Sequence, residues 1–301
     1  MWEKIAVTAL NIVFKGIACL PLGVLYGVSD LLYVVAYYLI RYRRKVVRKN
    51  LTNSFPEKSA QEIKNIEKKF YRHFTDNLME TIKILHISDD EMRRRFRFNN
   101  IEVIENLRAD NRPVFLYLGH YGNWEYVTSI TLWMKEGFDG FQAYHPLSNK
   151  VLDRFVYQLR SRFNTVSLPT KTTARAILTS VRNGRQPVLG LIADQRPGRK
   201  FATTWMRFLN QETPIITGGE EMGMRLKAHF IYLKIARLRR GYYDVTVSEI
   251  HPNENEEYSV SKQFMRLLEN DIREAPQYWL WSHNRWKFRF DKMFPGQEFP
   301  E

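Results

Sequence analysis

The residues with the clearest chemical potential are Gly119-His120-Tyr121-Gly122-Asn123-Trp124-Glu125. A histidine can accept a proton near neutral pH, and a carboxylate beside it fixes the ring tautomer and favours the imidazolium that forms. On a straight helix, five residues of separation would put His120 and Glu125 on different faces. Gly119 and Gly122 instead place the histidine in a turn and the glutamate in the first turn of a following helix, from which the carboxylate can reach back. His120 then reads as a general base and Glu125 as its orienting partner, with backbone N–H groups at the helix start available to an oxyanion. Such a set suits activation of a hydroxyl for attack on a thioester, with no covalent enzyme intermediate required. Taken alone, the pair reads more simply as a capping histidine and a first-turn acid favoured by the helix dipole. The surrounding elements have to decide between the two readings.

Those elements alternate. Pro113–Leu118 (PVFLYL) is a short apolar run ending at the histidine, and it reads as a buried strand. Further strands are expected at Gly140–Tyr144, Thr165–Leu168, Pro187–Ala193, His229–Ala236 and Tyr242–Ser248. Helices are expected at Trp124–Glu136, Leu152–Phe163, Thr172–Asn183, Gly218–Lys227 and Ser259–Arg273. The alternation argues an α/β domain with a mostly parallel sheet flanked by helices. Ligands in such sheets sit beyond the carboxyl ends of the strands. Two polar clusters fall there, Gly119–Glu125 and Asp194-Gln195-Arg196-Pro197-Gly198, so they are expected to converge.

The positioning scaffold extends toward the N-terminus. Gly16–Ile40 carries Asp30 as its only charged residue and is long enough to cross a bilayer as a tilted helix. Arg41, Arg43, Arg44, Lys45, Arg48 and Lys49 follow, a block that stays cytoplasmic by the positive-inside rule. An interfacial helix or a buried soluble hairpin are the competing readings. The simplest partition is an anchor over residues 1–45 and a catalytic domain over 46–301. Early in the catalytic domain, Ser59–Leu85 has a helical period, with Ile63, Ile66, Phe70, Phe74, Leu78, Ile82 and Leu85 on one face. His73, His86, His229 and His251 have no constellation around them and read as packing or surface residues. The aromatic stretch Trp279–Trp286 reads as core or membrane rim.

Composition narrows the function classes. The chain has 301 residues, 44% of them hydrophobic, with a net charge of +14 and a single cysteine, Cys19. One cysteine makes no intrachain disulfide. No His-x-x-x-His or His-Glu-x-x-His spacing marks a metal site, and no Gly-x-Ser-x-Gly elbow or Walker A loop occurs, so neither metal nor cofactor is expected. The positive charge fits nucleic acid, an anionic membrane, or an acidic protein or phosphorylated substrate. A membrane-tethered nucleic-acid binder would explain the charge and the anchor but leaves GHYGNWE unused, so no nucleic-acid partner is expected.

GHYGNWEY behind a membrane-proximal helix resembles the bacterial lipid A biosynthesis (late) acyltransferases of the His-x4-Asp/Glu superfamily, over roughly residues 5 to 290. Ala143–Asn149 (AYHPLSN) is similar to the family's Tyr-Arg-Pro-Leu-x-Asn block, with His145 where arginine is typical. Ala193–Gly198 (ADQRPG) resembles a third block, and Trp281–Lys287 the C-terminal tryptophan–histidine–basic block. Phe208-Leu209-Asn210 departs from the usual Phe-Phe-Gly. The resemblance implies a glycerolphosphate-acyltransferase-like fold, His120 and Glu125 as catalytic residues, and substrate contacts from Gly122, Asn123, Tyr144, Asn149, Asp194, Gln195, Arg196 and Arg285. It implies acyl carrier protein as donor and an anionic glycolipid as acceptor, a hydroxyl of a lipid A precursor. The bacterial inner membrane is the implied location, with the catalytic domain in the cytoplasm. Transfer to another membrane lipid, such as a glycerolipid, an amino lipid or a phosphatidylinositol mannoside, is the enzymatic alternative.

Overall fold

The structure is a computed structural model describing residues 12–144 and 149–300. Its centre is a seven-stranded sheet in the order β1-β9-β8-β2-β5-β3-β4. The strands are β1 (Phe96–Phe98), β2 (Val114–Leu118), β3 (Phe138–Tyr144), β4 (Val166–Pro169), β5 (Gln186–Ile192), β8 (His229–Arg239) and β9 (Tyr242–Ile250). Every neighbouring pair is parallel except β8 with β9. The expected α/β architecture is therefore present. All five residues of β2 are buried, which is what a central parallel strand covered on both faces requires. Leu118 of β2 pairs with Ile192 of β5, so residues 119–120 and 193–194 leave the sheet side by side. The two polar clusters converge for that reason.

Two features were not legible as sequence patterns. β1 is only three residues long, too short for a periodicity. Strands β6 (Trp205–Phe208) and β7 (Gln211–Pro214) form a separate hairpin whose turn residues, Leu209 and Asn210, have φ of 50° and 61°. Two consecutive positive φ values match the right-handed twist of a two-residue hairpin, and asparagine tolerates them well. The stretch after β2 also differs from the α-helix expected there. It is a 3-10 helix, Trp124–Leu132.

On the N-terminal side, α1 (Leu22–Val34) continues through a π-helical turn (Val35–Leu39) and is followed by α2 (Arg44–Ser54), α3 (Ala60–Lys83) and the short α4 (Asp89–Arg95) and α5 (Glu102–Asn106). Leu22–Leu39 is long and apolar enough to cross a membrane. Its outer face exposes Val24, Val28, Leu31, Val34, Leu39 and Ile40. The inner face lies along α3 and is fastened there by polar contacts. Ser29 Oγ donates to Asp76 Oδ1 (2.7 Å), Tyr26 Oη to Glu80 Oε1 (2.9 Å), and Lys83 Nζ to the carbonyls of Ala18 and Leu20 (2.9 Å each).

A capping box at Ser59 and Glu62 starts α3. Its apolar stripe is less complete than the period implies, since Leu78 is 44% exposed. The opposite side holds Glu67, Asp76, Glu80 and Lys83, and all four are buried where α1 and α2 pack on α3.

Candidate active site

His120 stands two residues beyond β2, where the chain passes close to its neighbours. A Cβ on Gly119 would meet Leu268 Cδ1 at 2.6 Å, and Gly122 has a φ of +59° with Ile235 Cγ2 2.7 Å from where its Cβ would be. Only glycine fits both constraints at 122. The main chain of this loop is tied from three sides. Gly122 N donates to Tyr278 O (3.0 Å), and Leu280 N donates to His120 O (3.0 Å). From α3, Asn77 Nδ2 and His73 Nε2 both donate to Gly122 O, at 2.7 and 3.1 Å.

The carboxylate bonded to the imidazole is Asp194. Its Oδ1 lies 2.6 Å from His120 Nδ1, while Oδ2 accepts from the His120 backbone N–H (3.0 Å) and from Trp279 Nε1 (2.7 Å). Asp194 is almost fully buried, and burial pushes its carboxyl up. The His120 charge, with the hydrogen bonds from His120 and Trp279, outweighs that and holds it below the usual aspartate range. An ionised Asp194 can only accept, so Nδ1 carries the proton and Nε2 is left as an acceptor. Nε2 faces the Gln195 side-chain amide nitrogen at 3.2 Å, which supplies a matching donor. The Trp124 ring stands edge-on to the imidazole, with centroids 5.2 Å apart.

The orienting contact expected from Glu125 is thus made by Asp194. Glu125 bonds in a different direction, through a bidentate pair with Arg160 at the end of α6 (Lys150–Arg160). Arg160 Nε donates to Oε2 (2.9 Å) and Nη2 to Oε1 (2.7 Å), and Trp124 Nε1 adds a third bond at 3.2 Å. Burial pushes the Glu125 carboxyl up, but Arg160 and, less strongly, His120 bring it below its ordinary value. The physical reason for the changed partner is the 3-10 geometry after β2. Its tighter winding sends Glu125 toward α6, while the parallel register of β2 and β5 delivers Asp194 directly under the ring.

The other expected contact residues divide. Gln195 reaches the imidazole, and Arg196 lies at the rim, with Nη1 donating to Asn284 O (2.9 Å) and the guanidinium over Phe288 (4.9 Å). Asn123 and Asn149 serve as helix caps. Asn123 Oδ1 accepts from Tyr126 N (3.2 Å) while Nδ2 donates to the buried Glu80 (2.6 Å), and Asn149 Oδ1 accepts from Val151 N (3.0 Å) and Leu152 N (3.1 Å). Tyr144 ends β3, half-buried. His145 and the rest of its block up to Ser148 lie outside the described residues. Arg285 is fully buried, with Nε and Nη1 free of hydrogen-bond partners among the described residues. Its Nη2 donates to Pro214 O (2.6 Å), and burial pulls its guanidinium down to about 9.

Sequence reasoning missed four members of the assembly. Arg160 had no signal beyond its place at a helix end. Trp279, in a stretch expected to be core or membrane rim, is core, with its N–H spent on Asp194. Glu80 and His73 lie on the polar side of α3, where a helical period gives no sign of a partner; His73, expected to be a packing or surface residue, is buried. Beside the Glu125–Arg160 pair, a narrow crevice of about 50 Å³ opens between the 3-10 helix and the sheet, lined by Leu118, Trp124, Val127, Gly140 and Gly190. Among the described residues no cluster of His, Cys, Asp or Glu is arranged to hold a metal.

Comparison with known proteins agrees on one family. The bacterial lipid A biosynthesis acyltransferase family model matches residues 3–288. A lipid A biosynthesis lauroyltransferase of Escherichia coli (strain K12) is 25% identical over 285 residues, covering 90% of this chain and 91% of that protein. A lipid A biosynthesis palmitoleoyltransferase of the same organism is 23% identical over 274 residues, covering 90% and 87%. A lipid A biosynthesis acyltransferase of Shigella flexneri has the same identity and coverage as the palmitoleoyltransferase.

Proposed function

The chain belongs to the bacterial lipid A biosynthesis acyltransferase family, and we propose that it moves an acyl chain from acyl carrier protein to a hydroxyl of a lipid A precursor at the cytoplasmic face of the inner membrane. The observation that carries the chemistry is the His120–Asp194 pair at the carboxyl edge of the sheet. Asp194 fixes the proton on Nδ1 and leaves Nε2 to accept one. An acceptor hydroxyl takes the place of the Gln195 amide at Nε2. As its oxygen bonds to the thioester carbonyl carbon, its proton passes to Nε2, and Asp194 stabilises the imidazolium. Collapse of the tetrahedral intermediate breaks the carbon–sulfur bond, and the departing thiolate takes the proton back. The products are an ester and a free carrier thiol, so the cycle balances without an enzyme-bound acyl group.

Glu125 acts at one remove in this scheme. Its pair with Arg160 holds the 3-10 helix against α6 and keeps a second negative charge near the imidazole. The net charge of +14 supports an acidic carrier protein as donor, and the apolar outer face of α1 with the basic block after it supports work at an anionic membrane. The test uses purified enzyme in neutral detergent, labelled acyl carrier protein and a lipid A precursor. The wild type should yield one additional ester on the glycolipid, and His120→Ala none. Near wild-type turnover by folded His120→Ala would refute the base assignment. A labelled glycerolipid with unlabelled lipid A would refute the acceptor.

A further inference from the structure

β8 runs beside β2 and continues past the level of His120, carrying Arg237 with Arg240 just beyond it to the carboxyl edge of the sheet. There, between α1, α3 and the end of β8, lies an open pocket of about 660 Å³. That size is within the usual range for ligand sites. Four cations line it, Lys69, Arg72, Arg237 and Arg240, against two carboxylates, Asp30 and Asp76.

The carboxylates are fully used by two of the cations. Arg240 Nη2 donates to Asp76 Oδ1 (2.6 Å) and Asp30 Oδ1 (2.7 Å), and Arg237 Nη2 donates to Asp76 Oδ2 (2.9 Å). Lys69 and Arg72 stand one turn apart on α3, exposed, with no carboxylate partner among the described residues. Arg72 lies over the Tyr33 ring of α1, 5.1 Å from its centroid. The pocket therefore has two charges in excess, on flexible side chains able to converge on one anion.

We propose that this pocket binds a phosphate group of the glycolipid acceptor, a proposal that rests on the acceptor assignment above. Position favours a lipid over the carrier protein. One wall is α1, through Tyr33 and Val34, and the exposed apolar face of that helix is where a lipid arrives. Tyr278 forms another wall, and its carbonyl holds Gly122 N–H. From Gly122 to His120 is two residues, at most about 7 Å of extended chain. Tyr278 and the Gly122 backbone thus connect the pocket to the loop of His120, and a sugar lipid held by its phosphate on Lys69 and Arg72 would span from one to the other. Arginine suits the task, because its fork of N–H donors matches phosphate oxygens.

The experiment compares wild type with Lys69→Ala/Arg72→Ala, using the phosphorylated acceptor and the same acceptor after phosphatase treatment. Both side chains are exposed, and thermal melts check that the double variant is folded. The KM for the phosphorylated acceptor should rise roughly 10- to 100-fold, equivalent to one or two lost charge-assisted contacts. The KM for the dephosphorylated acceptor and for the acyl donor should match the wild type, and Lys69→Arg/Arg72→Lys should restore binding. An equal rise for both acceptors, or a change confined to the donor, overturns the site. Wild-type enzyme that acylates neither glycolipid overturns the acceptor assignment itself, and this site with it.

Discussion

Replacing Asp194 with asparagine separates the two candidate partners of His120, and the structure sets the size of the effect. Two N–H groups, from the His120 backbone and Trp279, meet at Oδ2. An asparagine satisfies both only by placing its carbonyl oxygen there, which turns its NH2 toward His120 Nδ1. A donor then faces a donor, so the ring moves its proton to Nε2 and the base is lost. The opposite rotamer keeps the productive tautomer but leaves two buried N–H groups without acceptors, at about 1–3 kcal/mol each. The productive form is therefore disfavoured by roughly 2–6 kcal/mol, a drop in kcat of roughly 30- to 10⁴-fold. Serine hydrolases respond to the equivalent change by about 10⁴ for the same tautomeric reason. Glu125→Gln disturbs the Arg160 pair without touching the tautomer, and should cost kcat about tenfold or less. The assay is initial-rate transfer from labelled acyl carrier protein, with circular dichroism and melting temperature as fold controls. Asp194→Asn within tenfold of wild type, together with Glu125→Gln down about 10³-fold, would return the orienting role to Glu125.

Gly122→Ala forces a side chain into positive φ and against Ile235, so it should destabilise by about 1–3 kcal/mol and lower kcat, with Ile235→Ala recovering part of the stability in urea titrations. Arg160→Ala leaves Glu125 without its charge partner and should destabilise by about 1–3 kcal/mol, less than a fully buried pair because the two side chains remain 20% and 15% exposed. Adding Glu125→Gln should return most of that loss, and no recovery would mean that Arg160 acts through packing alone. Stability should also fall in mild acid. Burial and then the Arg237 charge press His73 down to about 3, and burial and then Arg285 press His283 down to about 4. Both folded-state values lie below the unfolded value near 6.5, so this contribution is complete above pH 6.5 and is lost as pH falls toward 4. The slope is up to about 1.4 kcal/mol per pH unit for each ring. His73→Gln should flatten the dependence measured by urea unfolding between pH 7 and pH 5, and an unchanged slope would refute the assignment.

The fold was legible because its strands are short apolar runs separated by helical periods, and a parallel register follows from that alternation. Convergence of residues 119–120 with 194 was legible for the same reason, since ligands gather where parallel strands end. The identity of the imidazole's partner was not. Glu125 is near in sequence, and proximity along the chain was taken for proximity in space. Whether the residue after a strand winds as an α-helix or a 3-10 helix depends on what packs against it, here α6 through Arg160, and no local pattern encodes that. The burial of the polar side of α3 was not legible for a related reason. A helical period marks which face is apolar, and it says nothing about whether the polar face meets water or a second helix carrying its own polar groups.

That second helix changes how GHYGNWE should be understood. In the proposed reaction one part of the motif does the chemistry, with His120 Nδ1 on Asp194 and Nε2 at Gln195. The other part is a mounting. Asn123 caps the 3-10 helix with one side-chain atom and grips Glu80 with the other, and Gly122 O is held by Asn77 and His73. Glu80 also accepts from Tyr26 of α1 and, at 2.8 Å, from Tyr243 of β9. One buried carboxylate thus joins the loop bearing His120, the sheet and the helix with the apolar outer face. A buried carboxylate that loses a donor must recover it or be desolvated alone, so the three elements hold their mutual positions at high energetic stake. The loop bearing His120 is for that reason set relative to the apolar outer face of α1, and under the proposed function an acceptor hydroxyl would reach His120 from a fixed direction.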